Sequence, residues 1–258
     1  MTKLLETVGL EKEYGKKKAL AGVDLSVEEG EVVVIMGPSG CGKSTLVRCL
    51  NRLTEPDRGE IRFQGRDLLA LDSGELQQVR RQMGFVFQHF NLIGRLTALQ
   101  NVMFPLLASG LSASLAKPRA LGCLERVGIE DVARYPHELS GGQQQRVGIA
   151  RAWVTSPLVM IWDEPTASLD PIIVDEVLSV MEELVEQQET TMVIVTHEVP
   201  FALEVADRIV LMDQGKIVEE GTRDRIFHQP QSWVGSRYRE LLVRDRYRGY
   251  CQGRKNMA

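Results

Sequence analysis

The sequence predicts an α/β fold in which a largely parallel sheet presents a phosphate-binding loop and carries an inserted helical lobe. Three observations predict it. The apolar run Val32-Val33-Val34-Ile35-Met36 ends in Gly37-Pro38-Ser39-Gly40-Cys41-Gly42-Lys43-Ser44, and helical periodicity follows from Thr45 to Leu53. Two further apolar runs, Leu158 to Trp162 and Thr191 to Thr196, end abruptly in Asp163-Glu164 and in His197. Polar residues at such strand ends mark the edge where open parallel sheets bind ligands. Between these strands, residues 90 to 155 are dominated by helical periodicity.

With 258 residues, 43% of them hydrophobic, the chain can bury a substantial core. Its net charge of −4 gives no global attraction to nucleic acid, which is not expected as a partner. No run approaches the ~18 apolar residues that span a bilayer, and Met1 to Glu6 lack a signal-peptide pattern. The expected location is therefore cytoplasmic, with membrane contact through a partner. Cys41, Cys49, Cys123 and Cys251 lack metal-ligand spacing and suit free thiols in a reducing compartment.

Taken in order, Val8 to Tyr14 and Ala21 to Val27 read as strands joined by the turn Gly15-Lys16-Lys17-Lys18. Tyr14, an aromatic at a strand end, offers a face on which a nucleotide base could stack; alone it would be read as edge packing. In the loop Gly37 to Ser44, glycines let backbone N–H groups turn inward around phosphate oxygens, and the following helix adds the positive end of its dipole. Lys43 would reach the β- and γ-phosphates, and the Ser44 hydroxyl would ligate Mg²⁺. Cys41 contributes only its backbone.

Pro56-Asp57-Arg58-Gly59 turns into the strand Glu60 to Gln64, and a helix is expected from about Ser73 to Gln82. The short strand from Met83 ends in Gln88, whose amide carbonyl could serve Mg²⁺ and an attacking water where the sheet hands over to the helical lobe. Helices are expected over Thr97 to Leu107, Ser114 to Val127 and Gly141 to Val154. Ser140 reads as the N-cap of the last, with Gln143 in the capping-box position and Gly141-Gly142 clearing side chains from a second anion-binding terminus. One nucleotide cannot easily occupy two distant phosphate sites in a single chain.

Asp163 suits holding Mg²⁺, directly or through water, and Glu164 suits polarising a water for attack on a γ-phosphate. Ser168-Leu169-Asp170 lies in the turn before a helix from Ile172 to Gln187. His197 could donate to a γ-phosphate oxygen. Ile209 to Met212 and Lys216 to Glu219 form a hairpin across Asp213-Gln214-Gly215, and a helix from Arg223 to His228 follows. From Ser236 onward the chain is basic with interleaved Tyr238, Tyr247 and Tyr250, and reads as a solvated, partly disordered tail.

In order and spacing, Tyr14, Gly37 to Ser44, Gln88, Leu139 to Gln143, Ile161 to Glu164, Ser168 to Asp170 and His197 resemble the ATP-binding cassette of ABC transporters, over residues from about 4 to 230. The string Leu139-Ser140-Gly141-Gly142-Gln143 is the most specific of these. The resemblance implies a P-loop NTPase core with an antiparallel β subdomain and an inserted α-helical subdomain. It implies one domain over 1–235, with core sheet and phosphate loop at about 1–88 and 156–235, helices at about 89–155, and a basic tail over 236–258. It also implies ATP and Mg²⁺ as ligands and an adenine-stacking Tyr14. Lys43, Gln88, Glu164 and His197 would be catalytic, Ser44, Gln88 and Asp163 would hold the metal, and Gly37 to Thr45 would bind nucleotide. Ser140 to Gln143 and Asp170 would complete the site of a second copy in a head-to-tail dimer. Permease subunits, and a solute-binding protein in the full system, are implied partners, at the inner face of the membrane. Phe87 to Leu92, Val32 to Leu53, Asp170-Pro171 and Thr196-His197-Glu198 are similar to polar amino acid importers. Phe85 to Leu107, especially Arg95 to Leu99, is similar to lipoprotein-releasing and macrolide-type exporters, but the resemblance to the amino acid importers is the favoured one and implies an ATPase that drives import of a polar amino acid. Phosphonate and methionine importers are also close.

Overall fold

A computed structural model describes residues 3–186 and 190–242. Two sheets organise the chain. The first is antiparallel: β1 (Lys3–Tyr14), β2 (Lys17–Glu28), β4 (Arg58–Phe63) and the two-residue β5 (Arg66–Asp67), in the order β2-β1-β4-β5. Between β2 and β4 the chain crosses into the second sheet through β3 (Val32–Met36) and returns along α1 (Lys43–Leu50). The second sheet is completed by β6 (Met83–Val86), β7 (Val159–Asp163), β8 (Thr191–Val195), β9 (Arg208–Asp213) and β10 (Lys216–Gly221). Its order is β10-β9-β3-β8-β7-β6, parallel throughout except for the β9–β10 hairpin.

The central strands are buried on both faces, which explains why their sequences are unbroken apolar runs. Successive side chains alternate between two cores. Val32, Val34 and Met36 enter one core with α3 (Ala98–Ala108), α4 (Ala113–Arg126), α5 (Gly141–Trp153) and α6 (Pro171–Glu186). Val33 and Ile35 enter the other, with the antiparallel sheet and α1. By the same alternation Trp162 is fully buried on the helical side, filling space between β7 and the inserted helices. This supplies a packing reason for that large residue, although its indole N–H has no partner among the described residues.

Helix α2 (Ser73–Arg80) precedes β6 and is started by a capping box between Asp72 and Glu75. The insertion α3–α5 begins with a second capping box, between Thr97 and Gln100. Two short helices complete the body: α7 (Val199–Val205), which the sequence pattern did not reveal, and α8 (Arg223–His228), capped by Thr222.

One expectation needs correction. The solvated tail expected from Ser236 is, in its first part, a helix over 233–242, α9, which buries Val234 and Tyr238 against the core. Valine and tyrosine four residues apart share a helix face, and here that face is apolar. The remainder of the tail, with Tyr247 and Tyr250, lies outside the described residues. No helix of the described residues is long and apolar enough to cross a membrane.

Candidate functional site

The loop Gly37 to Gly42 leaves β3 at its C-terminal end and enters α1 at Lys43. Its glycines are demanded by close approach as well as by conformation. A Cβ at Gly42 (φ 115°) would lie 2.2 Å from the carbonyl oxygen of Ala19, and one at Gly37 (φ 152°) 2.2 Å from that of Met212. The loop is thus seated between β2 and β9. Cys41 is buried beneath it, and burial pushes its thiol pKa up. Ser44 and Thr45 stand half-buried in the first turn of α1. The Lys43 side chain is 3% exposed. Its ammonium lies inside the loop, donating to the carbonyls of Gly37 (3.0 Å) and Pro38 (3.2 Å), and sits 3.5 Å from Glu164 Oε1.

Three strand ends converge on this lysine. Glu164 follows β7 in a left-handed conformation (φ 47°), and its Oε1 is 3.1 Å from His197 Nε2, beyond the end of β8. The hydrogen bond to His197 holds the Glu164 carboxyl below the usual carboxylate range, against desolvation and with help from the Lys43 charge. Glu164 is therefore an ionised acceptor at neutral pH, aimed between an imidazole and an ammonium.

Asp163 points the other way, toward α1. It is fully buried, and its Oδ2 accepts from Arg48 Nε (2.9 Å) and Nη2 (2.8 Å). Its Oδ1 is buried without a hydrogen-bond partner among the described residues. A buried carboxylate oxygen with a free coordination position, on a strand end that packs against α1, fits a divalent cation or its water. No group of three or more His, Cys, Asp or Glu able to hold a metal exists among the described residues. An arginine in a helix carries no sequence signal of a partner 115 residues away, so Arg48 joins the site only through the fold.

Tyr14 ends β1, is 53% exposed as a residue, and has Lys12 Nζ 5.6 Å from its ring centroid. It pairs across the β1–β2 turn with Lys17, whose ammonium reaches the carbonyl of Gly40 in the loop at 3.4 Å.

The remaining predicted residues gather elsewhere. Ser140 Oγ accepts from Gln143 N–H (3.2 Å) and Gln143 Oε1 from Ser140 N–H (3.0 Å), the capping box expected from the sequence. Gly141 and Gly142 open α5, and the structure gives Gly142 a packing reason beyond clearing the terminus: its Cβ would fall 2.2 Å from Ile173 Cγ2 of α6. Asp170 is exposed and accepts from Ile172 N–H at 3.0 Å, starting α6. Helix α1 packs on β1, β2, β7 and β8, whereas α5 packs on α3, α4, α6 and β6. The two candidate anion sites thus sit on different sets of elements.

Gln88 is half-buried just beyond β6. The segment around it is strapped to α5 by residues the motif reading missed. Gln145 donates to Phe87 O (3.3 Å), and Arg151 donates to Phe90 O (3.0 Å) and Asn91 O (2.6 Å). His89 Nδ1 lies 3.0 Å from Ser168 Oγ, joining this segment to the turn before α6.

The family model for ABC transporters matches residues 20–167. The glutamine transport ATP-binding protein GlnQ of Geobacillus stearothermophilus is 49% identical over 223 residues, covering 85% of this chain and 91% of that protein. The methionine import ATP-binding protein MetN of Brucella abortus is 42% identical over 241 residues, 93% of this chain; the chain spans 65% of that relative's length. Among solved structures, the dimeric ATP-binding cassette MJ0796 bound to ADP and Pi superposes with a TM-score of 0.77 at 38% identity, covering 85% of this chain and 98% of that one. With its loop, strand-end carboxylates and capped α5 in the places described, the chain belongs to the ABC transporter family and has the fold of its ATP-binding cassettes.

Proposed function

We propose that the chain is the ATP-hydrolysing subunit of an importer for a polar amino acid, working as a head-to-tail dimer on the inner face of the membrane beneath permease subunits, with a solute-binding protein in the full system. The observation that carries this reading is the division of two phosphate-binding features between different elements of one chain: the loop ending in Lys43, and the helix terminus at Ser140. An isologous pair would bring each loop to the partner's terminus and complete two equivalent sites.

In such a site Tyr14 stacks on the base, and backbone N–H groups of Gly37 to Thr45 surround the phosphates, with Pro38, Ser39 and Cys41 serving only through the main chain. Lys43 exchanges its loop carbonyls for β- and γ-phosphate oxygens. Ser44, Gln88 and Asp163 would hold Mg²⁺, which when bound neutralises charge on the phosphates. Glu164, ionised beside His197, accepts the proton of an attacking water, and His197 is placed to donate to the γ-phosphate. From the opposing copy, Ser140 to Gln143 present N–H groups and a hydroxyl to the same phosphate, and Asp170 lies at the seam. ATP favours the closed pair by its higher affinity for it, and loss of the γ-phosphate removes that preference.

The relatives named for glutamine and for methionine support amino acid import; methionine is the alternative cargo. Within the proposed domain, 1–235 with helices at about 89–155, the segment after Gln88 would receive the permease. The test mixes two inactive variants, Lys43→Ala and Ser140→Arg. Their heterodimer retains one intact composite site, so equal mixing should restore roughly a quarter of wild-type hydrolysis. No recovery, with both proteins folded, would overturn the shared site.

A further inference from the structure

Helix α9 reaches the phosphate loop from behind. The Tyr238 side chain is buried, and its hydroxyl oxygen accepts a hydrogen bond from the N–H of Gly37 at 3.1 Å. The carbonyl of the same glycine accepts from Lys43 Nζ at 3.0 Å. The first residue of the loop is therefore held on both sides, by Tyr238 through its N–H and by the phosphate-reaching lysine through its C=O.

The register that brings Tyr238 there is fixed by several contacts. The Glu219 carboxylate of β10 accepts from the backbone N–H groups of Gln231 and Ser232 (2.8 Å each) and from Ser232 Oγ (2.6 Å). Burial alone would raise the Glu219 carboxyl, but these donors hold it below its ordinary value, so it is charged where it grips the start of α9. Trp233 Nε1 donates to Asp213 Oδ2 at 3.1 Å. At Gly235 a Cβ would come within 2.8 Å of Glu219 Oε2 and 3.3 Å of Leu211 Cδ1, so the helix lies too close to β9 and β10 for a larger residue. Four residues after Val234, Tyr238 is on the buried face. Such anchoring exceeds what a solvated terminus needs, and its end point is a single main-chain N–H of the nucleotide loop.

We propose that Tyr238 is a positioning residue for nucleotide binding: it holds the entry of the phosphate loop in its binding conformation, and α9 is the strut that holds Tyr238. This rests on the ATP-binding reading above. Burial keeps the Tyr238 hydroxyl protonated well above neutral pH, so its oxygen stays a neutral acceptor across the working range. Nothing is transferred through it; its role is to satisfy a buried donor that would otherwise compete for loop carbonyls or draw in water.

The test is Tyr238→Phe, which keeps the ring and removes the acceptor. In a Glu164→Gln background, which separates binding from turnover, titration with a fluorescent ATP analogue and Mg²⁺ should show affinity weakened roughly five- to tenfold. In the Glu164 chain, KM for ATP should rise by a similar factor with kcat changed less than about twofold, since loop placement acts on bound substrate and transition state alike. Hydrogen exchange should report faster exchange in the peptide containing Gly37, with the peptides of β7 and β8 unchanged. Unaltered affinity and unaltered exchange at Gly37 would overturn the proposal, as would a fall in kcat with KM unchanged. Should Tyr238→Phe not fold, exchange in the unsubstituted chain decides: protection of Gly37 should be lost together with that of α9 as urea is raised, and independent loss would count against the strut. Failure of the unsubstituted chain to bind the analogue would instead sink the ATP-binding reading itself.

Discussion

Arg48 and Asp163 form a one-sided pair: two guanidinium nitrogens of α1 converge on Oδ2 at 2.8 and 2.9 Å, leaving Oδ1 buried and without a partner among the described residues. The arginine fixes the rotation of the carboxylate, so the free oxygen is held on one side of it. Arg48→Ala should destabilise the folded chain by roughly 1–3 kcal/mol, because the buried anion is left without its partner. In an Asp163→Asn background the same change should cost distinctly less, and urea unfolding of the four proteins in a double-mutant cycle measures the difference. Equal costs in both backgrounds would show that the pair is not coupled.

Glu164 carries a sign-specific pH signature. Its folded-state carboxyl is held low by His197 and Lys43, so its contribution to stability is present above the unfolded value of about 4.3 and is lost as pH falls through the folded value. The stability gap between wild type and Glu164→Gln should therefore be present above about pH 5 and close in stronger acid. Urea midpoints for both chains without nucleotide provide the check; a difference independent of acidity would contradict the assigned ion pair.

Gly142 and Ile173 set a packing test on the start of α5. Gly142→Ala drives a methyl into Ile173 Cγ2 and should cost roughly 1–3 kcal/mol. Adding Ile173→Ala should recover part of that loss, which thermal unfolding of the single and double variants would detect. Absence of any recovery would mean that the clash is relieved elsewhere.

Burial raises the Cys41 thiol and pushes that of Cys49 up to about 12. At pH 8 both should resist iodoacetamide in the native chain and react once it is unfolded, as peptide mass spectrometry would record. Native labelling of Cys49 at the unfolded rate would contradict its placement in α1.

Much of this arrangement is legible in the sequence because it is local. Strands buried on both faces are unbroken apolar runs, and the residue where each run stops is the one the sheet edge presents; Asp163, Glu164 and His197 are found that way. The Ser140 capping box is equally local, needing only a serine and a glutamine three residues apart. What could not be read depends on partners distant in the chain. Arg48, Gln145 and Arg151 look like ordinary polar residues of helices until the fold supplies a carboxylate or a carbonyl. Tyr238 sits 201 residues from Gly37, within a basic stretch whose composition suggested solvent rather than a core contact. The two-residue β5 is too short for any period to show.

The most direct test of the shared site is the mass of Glu164→Gln with Mg²⁺, with and without ATP, by sedimentation or light scattering. ATP should convert the 28.9 kDa chain to a species of twice that mass. Adding Ser140→Arg should abolish that species while leaving nucleotide binding at Lys43 intact. A chain that binds ATP and remains a monomer, or a dimer indifferent to Ser140→Arg, would contradict the account.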